Sequence, residues 1–180
     1  SGLKELIEGC SIARNFTNIF ACEYYYGQDG EAKFPKFCIN STDKTQYIFR
    51  INKGVEDQLY GPHAYMAPED RPVPLSNMIY IGDGMTDVPC MKIIRQGGGT
   101  ALSVFNPQDE FSVNMSKRLV AEHRVDEAVE ADYGVKSGIE RAVVGAIKEK
   151  YTASAIFSGV SAEMPCPQFT ARNKRKITAG

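Results

Sequence analysis

The nine residues Ile79 to Asp87 (I-Y-I-G-D-G-M-T-D) hold the densest chemistry in the chain. Asp83 follows a short apolar run and stands between Gly82 and Gly84, residues that let a backbone turn sharply and leave room for a ligand. Asp87 comes four residues later, at the head of the next helical pattern. Two carboxylates at the carboxyl edge of a parallel sheet occupy the place where α/β folds bind ligands. Hard oxygen donors with space for water suit Mg²⁺, which takes one or two carboxylates and keeps several waters. The plainer alternative is that Asp83 makes a turn and Asp87 caps a helix, because G-D-G is common in turns. The apolar strand before the motif and the helix after it favour a site. Lys44 is the second candidate. It falls in the first turn of a helix, where the macrodipole disfavours a cation unless an anion lies nearby. Its ammonium could neutralise a phosphoryl oxygen and a carboxylate together. The alternative is a solvated surface lysine.

The elements that would position these groups follow from periodicity. Leu3, Leu6, Ile7 and Cys10 predict an amphipathic helix over 3–13. Residues 18–26 and 32–39 read as a β-hairpin around the turn Gly27-Gln-Asp-Gly30, with Pro35 marking an edge or a bulge and Tyr24–Tyr26 alternating between faces. Asp43 begins a helix as its cap, with Gln46 three residues on, Gly54 closing it, and Tyr47, Ile48 and Ile51 as the buried stripe. Residues 55–76 hold too many prolines for regular structure and form a long loop that borders the site, with Tyr60, His63 and Tyr65 on it. Residues 77–82 predict a strand buried on both faces, 87–96 a helix with Val88, Met91 and Ile94 inward, and 100–105 another buried strand. Asn106-Pro107 starts a helix to about His123, 128–133 adds a short strand, and Ser137 with Glu140 makes a capping box. From there Ile139, Ala142, Val143, Ala146 and Ile147 carry a last helix to about Tyr151. Strands alternating with helices predict a parallel α/β sheet.

Composition narrows the class. The chain has 180 residues, 43% hydrophobic and 24% charged, with a net charge of -1, which excludes collagen-like, disordered and disulfide-scaffold classes. Near-zero net charge argues against a nucleic-acid partner, and no apolar run is long enough to span a membrane. Cys10, Cys22, Cys38, Cys90 and Cys166 are odd in number and scattered, and His63 and His123 stand alone, so the thiols read as buried or half-buried in a reducing cytoplasm. Residues 158–180, with Arg172, Lys174, Arg175 and Lys176, read as a solvated polar and basic tail after a domain covering 1–157.

The stretch Ile79–Met91 (I-Y-I-G-D-G-M-T-D-V-P-C-M) resembles the fourth motif of the haloacid dehalogenase (HAD) superfamily, an apolar strand followed by G-D-x-x-x-D. Asp43–Ile51 (D-K-T-Q-Y-I-F-R-I) is similar to the lysine-bearing third motif of phosphoserine-phosphatase-like members. The opening S-G-L-K-E-L-I resembles the residues that follow the second motif, and the hairpin matches what such members place between the second and third. The likeness covers about residues 1–151, and the order and separation of the motifs make it stronger than any one of them.

This resemblance implies an α/β Rossmannoid parallel sheet flanked by helices, with a β-hairpin, in a Mg²⁺-dependent hydrolase of small phosphomonoesters acting through an aspartyl-phosphate. By position Asp83 would bind Mg²⁺. Asp87 would hold Lys44 and the metal's waters, and Lys44 would compensate charge on the nucleophile and the transferring phosphoryl group. Ser1 would bind phosphate, and Thr86, Gly82 and Gly84 would support the site. The family's first motif, D-x-D-x-[TV], does not occur in these residues. It carries the nucleophile and the general acid, so the expectation is a C-terminal part whose partner is a missing N-terminal segment of the same protein, inactive by itself. His63 as an acid is a lesser alternative. Lys44 favours phosphatase over dehalogenase or phosphonatase, and Lys44→Ala is expected to cost rate more than fold. Two other readings remain: a non-catalytic relative that binds Mg²⁺ or a protein partner, and an unrelated α/β module in which G-D-G is a plain turn.

Overall fold

A computed structural model describes residues 2–57 and 61–158, with side chains as far as Thr152. It is a mixed α/β structure. A short helix α1 (Leu3–Glu8) precedes a hairpin of β1 (Glu23–Tyr26) and β2 (Ala32–Phe37), and helix α2 (Lys44–Lys53) follows. A βαβαβ run comes next: β3 (Ile79–Gly82), α3 (Val88–Gln96), β4 (Thr100–Phe105), α4 (Glu110–Ala121) and β5 (Glu127–Glu130). Helix α5 (Gly138–Ser158) ends the described chain. The chain divides into two units, Ser1–Ala146 and Ile147–Gly180, and the described part of the second is the continuation of α5. The expected tail, with its basic cluster and Cys166, lies outside the described residues from 159 onward.

The sheet is parallel, in the order β3-β4-β5, with Ile79 beside Thr100 and Leu102 beside Glu127. Alternation along the strands sorts the helices onto its two faces. Ala101 packs with Val88 and Met91 of α3 and Leu119 of α4, and Tyr80 joins them from β3. On the same face the buried Ser103 and Ser116 hydroxyls pair at 2.8 Å. On the opposite face Val104 and Val129 pack with Ile139, Ala142 and Val143 of α5. Helices on both faces are the arrangement expected of parallel strands. Helix α2 packs Ile48 against Cys90 and Ile94 of α3.

Several sequence expectations change. Strand β3 is not buried on both faces: Ile81 is 39% exposed, because β3 is an edge strand among the described residues and α5 covers only β4 and β5. The helix expected over 3–13 stops at Glu8, and a separate 3₁₀ turn follows at Ala13–Asn15; Leu3, Leu6 and Cys10 are exposed. Tyr24, Tyr25 and Tyr26 are all exposed rather than alternating, since among the described residues neither face of the two-stranded hairpin is buried at those positions; Tyr25 stacks on Phe34 at 5.0 Å. The irregularity anticipated at Pro35 is present, as the register shifts on both sides of the Tyr24–Pro35 and Tyr25–Phe34 pairs. Pro107 does not open α4; Asn106 makes a turn through Gln108, and Asp109 caps the helix by accepting from the Phe111 N–H at 3.0 Å. Cys10 and Cys38 are exposed rather than buried.

The loop before β3 is held largely by polar groups of α2, while Leu75 at its end packs on the cluster that Ile48 forms with Cys90 and Ile94. Ile51 is exposed, whereas Arg50 and Asn52 are buried. Arg50 donates to the Asp57 carbonyl (2.8 Å), Asn52 to the Val73 carbonyl (2.8 Å), and Lys53 to the carbonyls of Pro62 (2.8 Å) and Ala64 (2.6 Å). These bonds supply partners for backbone that has no ladder of its own. Among the described residues no helix is long and apolar enough to cross a membrane.

Candidate functional site

Strand β3 ends at Gly82, and the chain turns through Asp83 and Gly84 into one 3₁₀ turn, Met85–Asp87, that runs directly into α3. Gly82 is required by close approach: a Cβ there would lie 2.7 Å from the Asp87 Cβ and 2.8 Å from the Met91 Cε. Gly84 is extended (φ −148°), a conformation open to any residue, so the backbone there does not require glycine. The 3₁₀ turn brings Asp87 back over the strand end, where its Oδ2 accepts from the Gly84 N–H at 3.3 Å.

Lys44, the first residue of α2, reaches this carboxylate. Its Nζ donates to Asp87 Oδ1 at 2.7 Å and lies 3.4 Å from the Thr86 hydroxyl, a contact across 43 residues of chain. The anion that a first-turn lysine requires is thus Asp87. The Asn40 side chain, rather than Asp43, ties the backbone entering α2, accepting from the N–H groups of Thr42 (2.8 Å) and Asp43 (3.2 Å).

A third member went unnoticed in the sequence. The Tyr80 hydroxyl donates to Asp87 Oδ1 at 2.7 Å. Strand alternation holds the signal: Tyr80 lies two residues before Gly82 and so shares the face on which Asp87 stands. Asp87 is 4% exposed. Burial pushes its carboxyl up, but the hydrogen bonds from Lys44 and Tyr80, the Lys44 charge and the Gly84 amide outweigh that and hold it below the ordinary 3.8. Burial, reinforced by the bond to Asp87, raises the Tyr80 phenol, which stays protonated as a donor. Burial likewise raises the Cys90 thiol beneath the network, which leaves it inert.

Asp83 is exposed at the strand tip, beside this network but not in it. It lines an open cleft of about 530 Å³ over the carboxyl ends of β3, β4 and β5. Among the described residues no three His, Cys, Asp or Glu side chains gather as a ligand cage. The donor chemistry present is one solvent-facing carboxylate next to a buried one whose oxygens are already engaged, a set that fits a largely hydrated Mg²⁺ held through Asp83. Ser1 and Tyr60 lie outside the described residues. His63 and Tyr65 are exposed, and the loop that carries them is tied to Lys53, at the far end of α2 from Lys44. The rise along α2 from Lys44 to Lys53 separates those ends by roughly 13 Å, so the loop expected to border the site is anchored away from it.

No family model matches the chain, and no solved structure does. The chain is similar to an uncharacterized protein of Borreliella burgdorferi, 29% identical over 150 aligned residues that cover 74% of this chain and 50% of that protein. The chain therefore spans about half the length of the curated relative it matches.

Proposed function

We propose that this chain supplies the lysine and acidic half of a HAD-type, Mg²⁺-dependent phosphatase of small phosphomonoesters. The observation that carries the reading is the meeting of Lys44 with Asp87 beside the solvent-facing Asp83, at the carboxyl edge of a parallel sheet. In this reading the sheet is the HAD-like Rossmannoid core. Asp83 binds Mg²⁺, which when present would offset charge on the phosphoryl oxygens. Asp87 holds the Lys44 ammonium in place, and Lys44 faces the phosphoryl group and the nucleophile. Thr86 adds a hydroxyl to the lysine's surroundings, and Gly82 makes room for Asp87 against the strand. Such positioned charge is what phosphoryl transfer mainly demands. The aspartate nucleophile and the general acid come from sequence other than these 180 residues.

One observation favours a second reading, a non-catalytic relative that binds Mg²⁺ or a protein partner: no D-x-D-x-[TV] pentapeptide occurs in the chain. Expression of the full reading frame separates the two. The phosphatase reading expects hydrolysis of p-nitrophenyl phosphate with Mg²⁺, none after chelation, and loss of most of the rate in Asp83→Asn with an unchanged melting temperature. A frame without the pentapeptide, or one that hydrolyses nothing with Mg²⁺, would sink it, and wild-type turnover in Asp83→Asn would overturn the assignment of the metal to Asp83.

A further inference from the structure

The cleft beside Asp83 has a character of its own. Its walls include two carboxylates, Asp83 and Asp109, and no lysine, arginine or histidine among the described residues. Its apolar surface comes from Phe105, Phe111, Met115 and Tyr133. Two of those rings are strongly exposed, Phe111 at 74% and Tyr133 at 72%, which is unusual for aromatic side chains grouped around one concavity. At about 530 Å³ the cleft falls within the size range of small-molecule sites, about 300–1,000 Å³. It opens over the carboxyl ends of all three parallel strands, and Asp83 is part of its lining.

We propose that this cleft seats the organic part of the phosphomonoester and selects one that carries a protonated amine on a short apolar body. The inference rests on the phosphatase reading above for its premise that the ligand arrives attached to a phosphate. Asp83 itself lines the cleft, so an organic group attached to a phosphate held at Asp83 has this concavity beside it. With Asp83 engaged by the metal, Asp109 remains as the carboxylate of the cleft. One of its oxygens, Oδ1, caps α4 through the Phe111 N–H, which fixes the group in the wall. Phe111 and Tyr133 line the same cleft, and a ring face adds its own attraction for an ammonium to that of the carboxylate. Methionine sulfur and ring surface take the alkyl body. A carboxylate or second phosphate in the same place meets like charge with no cation in the wall to offset it. The cleft thus discriminates by charge sign, through attraction to one class and repulsion of the other.

The test uses simple probes and needs no turnover. The ¹⁵N-labelled 180-residue chain is titrated with n-butylammonium chloride and, separately, with sodium butyrate. The expected result is saturable shifts at the amides of Asn106, Phe111 and Ser112 with butylammonium, at a concentration at least tenfold below any that butyrate requires. Asp109→Asn keeps a capping oxygen and removes the charge. It should leave the melting temperature unchanged and weaken butylammonium at least threefold. Equal response to both ions, shifts confined to other surfaces, no response, or an Asp109→Asn chain that binds as before each overturn the proposal. If the amine binds as expected while the full reading frame hydrolyses no p-nitrophenyl phosphate with Mg²⁺, the phosphatase reading fails and the amine site stands.

Discussion

Lys44→Ala isolates the energetic centre of the site. The substitution takes the ammonium from a carboxylate whose side chain is 6% exposed, while the lysine itself is 32% exposed. Pairs between fully exposed groups contribute about 0.2–1 kcal/mol. Removing one partner of a fully buried pair costs about 3–5 kcal/mol, because the other charge is left without compensation. With one group in each condition, and with Tyr80 and Gly84 still bonded to Asp87, the expected loss is about 2 kcal/mol. For a chain of this size that is roughly 4–8 °C in melting temperature. Alanine is the better helix former, so propensity contributes nothing to the loss. The pH dependence provides the sharper check. The Asp87 carboxyl lies below its ordinary 3.8 in the folded chain, so the stability it contributes is full above that value and disappears as pH falls through the native one. The gap between wild type and Lys44→Ala should be complete at pH 7 and close below the ordinary carboxylate range. Thermal and urea unfolding followed by far-UV circular dichroism at pH 7, 5 and 3 reads both. A difference under about 0.5 kcal/mol at pH 7, of the size an exposed pair gives, or a gap that persists unchanged at pH 3, would refute the reasoning. The sequence expectation that this variant costs rate more than fold acquires a fold cost as well, since the lysine is bonded to a buried anion and not only to solvent.

Tyr80→Phe removes a hydrogen bond to a charged acceptor and should cost about 1.5 kcal/mol while raising the Asp87 carboxyl, as read by urea unfolding and by carboxyl ¹³C shifts against pH. Gly82→Ala inserts a methyl group 2.7 Å from the Asp87 Cβ; a loss of about 1–3 kcal/mol and loss of the Lys44–Asp87 contact are expected, and an unchanged melting temperature would contradict the close-approach account. Ser116→Ala leaves the fully buried Ser103 hydroxyl without its partner and should cost about 1–2 kcal/mol, whereas alanine at both positions should recover most of that in the same unfolding assay.

The stretch from β3 to β5 was legible because its signals are local and agree with one another. Val88, Met91 and Ile94 repeat at helical spacing, Gly97–Gly99 stop the helix, and Thr100–Phe105 is apolar enough to be a central strand; those three positions of α3 are buried, with Cys90 beside them, and β4 has the expected bounds with Ala101–Val104 buried. That a first-turn lysine demands an anion was also legible, whereas Asp87 as that anion was implied by the resemblance to the HAD motifs. Helix α2 was misread because its inward side is partly polar: Arg50 and Asn52 are buried to serve loop carbonyls that no period reveals. Tyr80 was missed for a related reason. A tyrosine in a buried strand looks like core, and only the position of Asp87 across the turn gives its hydroxyl a role. The exposed faces of α1, of the hairpin and of β3 were unreadable, because periodicity identifies a side that can be buried and not whether anything lies against it.

The sheet also dictates how the chain assembles. Its strands stand in space in the order in which they occur along the chain, so each new strand need only find the one before it. Every ladder therefore closes a short loop through a single helix, which keeps the entropic barrier to pairing low. Strand β4 receives a neighbour on each side and is the natural seed. Its amides, from Ala101 to Val104, should be the slowest in the domain to exchange with deuterium, with protection falling outward to β3 and β5.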